Sequence, residues 1–130
     1  MSDDAQTRTE TAELMRQYQS LLLGEQFEEW IELWTDDAVC EFPFAAEGQP
    51  RRLEGKSAIL EYMSAFPASI SIERVDEMTS HPGLDPSVLI TELRVTGTAV
   101  ETGKPYPQQY VIVARARDGR LAHYREYWNP

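Results

Sequence analysis

Between Thr9 and Leu23, the apolar residues Leu14, Met15, Tyr18, Leu21 and Leu22 recur three or four positions apart, with Glu13, Arg16, Gln17 and Gln19 between them. That spacing gathers one apolar stripe and predicts an amphipathic first helix. Gly24 interrupts it, after which Phe27, Trp30, Ile31 and Trp34 repeat the helical spacing beside Glu25, Glu28, Glu29 and Glu32. A short, aromatic second helix is predicted there. Ala38 to Phe44 alternates and reads as a strand, followed by an exposed loop through Gly48, Pro50, Arg51 and Arg52. Ser57 fits the N-cap of a third helix with Ile59, Leu60, Met63 and Phe66 along one side and Pro67 as its stop.

Beyond Pro67 the composition shifts to β-branched and aromatic residues in three long runs, Ala68 to His81, Val88 to Glu101 and Tyr106 to Arg117, with a last strand from Arg120 to Trp128. Asp118-Gly119 is a strong hairpin signal, and Gly97 inside a branched strand marks a place for a bulge or bend. Helices first and an antiparallel meander afterwards predict an α+β fold, with three helices packed on one face of a curved antiparallel sheet.

A chain of 130 residues holds one domain, residues 1–130. Twelve Lys and Arg against 22 Asp and Glu give a net charge of −10, which repels phosphate backbones and argues against nucleic-acid binding. The lone Cys40 has no disulfide partner, the first ten residues are too polar for a signal peptide, and no apolar run is long enough to span a bilayer. A cytoplasmic protein without membrane contact is expected. His81 and His123 lack the spacing of a metal site, so no metal is expected. The segment ending Glu54-Gly55-Lys56-Ser57 fails as a phosphate loop because Pro50 stands where glycine is required.

The order of three segments carries a resemblance: "ELMRQYQSLLLGEQFEEWIELWTDDAVCEFPF", "LEGKSAILEYM" and "RARDGRLAHYREYWNP". In that order they resemble the nuclear transport factor 2 like superfamily and its SnoaL-like branch. "DPSVLITELRVTGTAVETGKPYPQQYVIV" with the terminal "REYWNP" is similar to the phenazine biosynthesis A/B proteins. The resemblance implies a cone with an apolar pocket and a homodimer through the sheet's outer face. Set against the ketosteroid isomerases of the superfamily, it places Tyr18 on their helix tyrosine, Phe42 on their aspartate base, and Val111 or Ile112 on their later acid. Set against the phenazine-type proteins, it places a carboxylate at Glu126 and a polar helix residue at Tyr62.

On the last strand Tyr124, Glu126 and Trp128 share one face, and His123, Arg125 and Tyr127 the other. By the superfamily's parity the first set looks inward. A carboxyl among aromatic rings loses hydration, rises in pKa and suits general acid or base work, which makes Glu126 the first catalytic candidate. Its alternative is an exposed carboxylate paired with Arg125 or Arg94. Tyr18 and Tyr62 are candidate hydrogen-bond donors; the alternative for Tyr18 is a core tyrosine, the commoner role of such a residue, and for Tyr62 a place across the surface. Tyr124, Trp128, Phe42, Trp34, Cys40 and Phe66 are the candidate substrate-binding wall. Glu92 and Arg94 share a face of one strand and read as a polar pair in the pocket or an ion pair on the outer face. The expected function is isomerisation, cyclisation or condensation of a carbonyl-bearing cyclic substrate without cofactor. The alternative is a non-catalytic binding module for an apolar or cyclic metabolite, or a dimeric partner protein that turns nothing over.

Overall fold

The computed structural model describes residues 2–128. The first helix, α1, spans Ser2–Leu23 and so begins well before Thr9. Its polar opening carries no apolar stripe, but Asp3 and Asp4 lie in the first turn, where the helix dipole favours negative charge. The helix is tied to the turn at residues 83–87: Thr11 donates to the carbonyl of Pro86 at 3.0 Å, and Arg8 to that of Leu84 at 3.2 Å.

α2 covers only Phe27–Ile31, and Trp34, expected on it, instead opens strand β1, Trp34–Glu41. The last strand draws the chain into the sheet at this point, where the Leu121 amide donates to the Leu33 carbonyl at 2.7 Å. Part of the expected exposed loop is also strand: β2, Arg52–Glu54, pairs antiparallel with β1, yet three residues are too few to show alternation. α3 runs Lys56–Ala65 with Gly55, at φ 86°, as its N-cap in place of Ser57. The α-helix ends before Pro67, which sits in a single 3-10 turn at Phe66–Ala68.

β3 (Ile70–Pro82), β4 (Val88–Ala99), β5 (Pro105–Arg117) and β6 (Arg120–Trp128) follow. Asp118 and Gly119 both take positive φ, 53° and 80°, as a tight primed turn requires.

The strands form one six-stranded sheet in the order β2-β1-β6-β5-β4-β3. The α+β class holds, with three helices on a curved sheet, but the sheet is mixed rather than wholly antiparallel. β6 runs parallel to β1, placing Cys40 opposite Tyr124 and Glu41 opposite Arg125. Lying between β1 and β5, β6 is paired on both edges.

Curvature has a visible source in β3. Its register against β4 slips between Ile72 and Arg74 and again between Val75 and Glu77, so Glu73 and Asp76 are extra residues that coil the strand. The bulge anticipated at Gly97 therefore belongs to the strand facing it. Gly97 lets the backbones close in, since a Cβ there would lie 2.3 Å from the Ser71 carbonyl oxygen.

The core is densest where α1, α2, β1 and β6 meet. There the rings of Tyr18, Trp30, Trp34 and Tyr124 pack with centroids 5.1 to 6.0 Å apart. Burying four such rings makes a large apolar contribution to the fold.

Candidate active site

Beyond this aromatic base the sheet and helices enclose a cavity of about 620 Å³, within the range that takes drug-sized ligands. The two-residue alternation of β6 turns Tyr124, Glu126 and Trp128 into it. His123 and Arg125 face the other way, with His123 Nε2 at 2.5 Å and Arg125 at 3.4 Å from Glu41. Arg94 pairs with Glu77 at 3.3 Å. Neither arginine is engaged with Glu126, and the paired-carboxylate alternative is not realised. Glu92 bonds to His81 at 2.7 Å rather than to Arg94, and all four residues are exposed.

Glu126 is the chemical centre of the cavity. The accessible surface it keeps opens on the cavity interior, while the surrounding protein strips it of most bulk hydration. Burial pushes its carboxyl up to about 7, against the partial opposition of the Tyr124 hydroxyl, which donates to Oε1 at 2.7 Å. Its negative charge is felt in turn by Tyr18, Cys40, Tyr62, Tyr110 and Tyr124, and it adds to the burial that already raises each of them. One carboxyl thus lies at the convergence of α1, β1, α3, β5 and β6.

Of the other candidates, Tyr62, Phe42 and Phe66 line the cavity. Phe42 packs between Tyr62, at 5.1 Å, and Trp128, at 5.6 Å. Tyr18, Trp34 and Cys40 do not line it. Each is buried one layer behind, because the inward face of α1 and β1 is consumed by packing there: Tyr18 stacks on Tyr124 at 5.1 Å, and Trp34 contacts the same ring at 5.8 Å. The Tyr18 hydroxyl adjoins that of Tyr124 but lacks a well-formed hydrogen bond. Burial, with Glu126 and Glu41 nearby, raises the Cys40 thiol and disfavours a reactive thiolate.

The sequence reading passed over Tyr106, Gln108 and Tyr110 of β5, and Gln19 of α1, all of which line the cavity. For β5 a signal existed: every second residue from Tyr106 to Ile112 shares the inward parity, and Tyr110 pairs with Trp128. The same parity separates the two residues that the resemblance set against the isomerases' later acid. Val111 is exposed on the outer face, whereas Ile112 is buried and directly opposite Glu126. Among the described residues no group of three or more His, Cys, Asp and Glu is placed to hold a metal ion, and no helix is long and apolar enough to cross a membrane.

Residues 15–124 match the SnoaL-like domain family, and the chain belongs to it. YesE of Bacillus subtilis is 41% identical over 118 residues, covering 91% of this chain and 80% of that protein. A PhzA/B-like protein of Pseudomonas aeruginosa is 35% identical over 101 residues, covering 78% and 71%. Among solved structures, a Bacillus subtilis protein provisionally assigned as an isomerase superposes with a TM-score of 0.90 at 39% identity, covering 95% of this chain and 89% of that one. A phenazine biosynthesis-related protein of Pseudomonas aeruginosa, at 17% identity and a TM-score of 0.77 over 98% and 84% of the two chains, shares the fold.

Proposed function

We propose that the chain is a cofactor-independent isomerase or cyclase acting on a carbonyl-bearing cyclic substrate, with Glu126 as the group that moves the proton. The observation that carries this reading is the Glu126 carboxyl, turned by β6 into a cavity walled largely by apolar and aromatic side chains, whose pKa of about 7 leaves both protonation states populated near neutrality. A base and its conjugate acid are then available from one residue at one pH. The relative provisionally assigned as an isomerase points the same way.

In this scheme ionised Glu126 removes a proton from the carbon beside the carbonyl, and the electron pair moves onto the carbonyl oxygen. Tyr62 donates a hydrogen bond to that oxygen, the one proton of Tyr124 being held by Glu126, and such an interaction is worth about 2 to 4 kcal/mol where the donor is lost. Protonated Glu126 then returns the proton to another atom of the substrate, which completes an isomerisation. Alternatively the enolate carbon attacks a second carbonyl and Glu126 protonates the new alkoxide, which closes a ring. Ile112, opposite Glu126, fits a site whose acid is supplied from β6 and not from β5.

Glu126→Gln is expected to lower turnover at least ~100-fold while leaving binding within a few-fold, and infrared titration of the native carboxyl is expected to find its midpoint near 7. Unchanged turnover in the variant, or an ordinary carboxyl midpoint, would sink the mechanism. The apolar Phe42 and Ile112, at positions where the isomerases carry acids, favour a second reading as a metabolite-binding module. That protein would bind its ligand equally with Gln at 126 and turn nothing over.

A further inference from the structure

Among the described residues, every side chain lining the cavity is neutral or acidic. Tyr62, Tyr106, Tyr110 and Tyr124 supply hydroxyls, the glutamines supply amides, and Glu25 and Glu126 supply carboxyls; no lysine, arginine or histidine contributes to the wall. Cationic groups are engaged elsewhere, Arg125 with Glu41, Arg115 with Asp85 and Arg117 with Asp37. The net charge of −10 adds a long-range field of the same sign.

A carboxylate or phosphate entering such a cavity loses its hydration, meets no counter-charge and lies beside a like-charged carboxyl. A ketone, ester, amide or phenol oxygen needs only a donor, and the tyrosines and glutamines provide several. We propose that the cavity selects uncharged, ring-bodied ligands bearing carbonyl or hydroxyl oxygens and rejects their carboxylate or phosphate analogues. The inference rests on reading the cavity as the substrate site, but it does not need Glu126 to be catalytic. A preceding step that leaves an acid on the ring must therefore be followed by esterification, amidation or decarboxylation before this protein acts.

Three ligands of nearly one shape separate the possibilities: 2-acetylnaphthalene, 2-naphthamide and 2-naphthoate, titrated calorimetrically into the full chain at pH 8. The ketone and amide are expected to bind, and the naphthoate to bind roughly tenfold more weakly or worse. Lowering the pH to 6 is expected to narrow that gap, because Glu126, faced by Tyr18, Cys40, Tyr62, Tyr110 and Tyr124, then carries a proton. In Glu126→Gln the gap narrows at pH 8 but keeps its sign, since no cation has been added. Equal or tighter binding of naphthoate to the native chain overturns the inference, as does failure of all three to bind. The infrared midpoint of Glu126 is a separate readout. An ordinary value sinks the catalytic scheme while the preference for uncharged ligands stands.

Discussion

The folded chain holds the Glu126 proton more tightly than an unfolded chain does, because burial lifts the carboxyl from 4.5 to about 7. The sign follows from linkage. The stability this group contributes is fully present below pH 4.5 and is lost as pH rises through 7, a loss on the order of 3 kcal/mol. Glu126→Gln removes the loss, so urea unfolding at pH 5 and pH 8 is expected to show a wild-type decline that the variant lacks. Glu41, whose carboxyl is lowered first by its bond to His123, acts oppositely, and its contribution disappears only as pH falls below the ordinary carboxylate range. At this scale Glu126 was legible because the resemblance of the terminal REYWNP placed a carboxylate there and gave the inward face, while the period of a strand put Tyr124 and Trp128 on the same side. Tyr18, Trp34 and Cys40 were harder, since an apolar stripe shows which way a side chain points and not whether it meets packing or empty space.

Elements were legible in proportion to their regularity. β4, β5 and β6 alternate over many residues and emerge close to the expected limits, whereas β2 is three residues long and carries no period. The aromatic spacing of Phe27, Trp30 and Trp34 suits a continuing helix, yet hydrogen bonding to β6 turns Trp34 into a strand residue, a tertiary effect no local pattern records. The parallel pairing of β1 with β6 is non-local in the same sense. Gly97 is the element-scale feature that sequence and structure both mark. Gly97→Ala forces the β3 backbone away from β4 and is expected to cost about 1 to 3 kcal/mol in chemical denaturation. An Ala variant as stable as wild type would show that β3 does not need the close approach to coil.

Across the whole molecule, stability and ligand access are separated along the cavity. Trp30 and Trp34 are fully buried in the layer beneath its base, while Leu23 and Phe44, which line the cavity, remain 45% and 54% exposed. Truncating either tryptophan to alanine is expected to cost about 3 to 5 kcal/mol. Leu23→Ala or Phe44→Ala is expected to stay within about 0.5 kcal/mol of wild type. Thermal melts of the four variants check the contrast, and equal losses at both ends would refute it. Such an arrangement leaves the exposed wall free to change without undermining the base.

The position of β6 between β1 and β5 also dictates an order of assembly. β3, β4, β5 and β6 can form a meander from neighbouring segments, with β6 joined to β5 by the Asp118-Gly119 turn, but β1 and β2 enter that sheet only by pairing with β6. Joining them is a long loop closure, slow relative to hairpin formation. Until it happens, the facing edges of β1 and β6 are bare and Tyr124 is apart from Tyr18 and Trp34 in the aromatic base. The strand that carries the candidate acid is thus also the keystone of folding, and a substitution on its inward face is exposed to selection twice, once through chemistry and once through the rate at which the sheet closes.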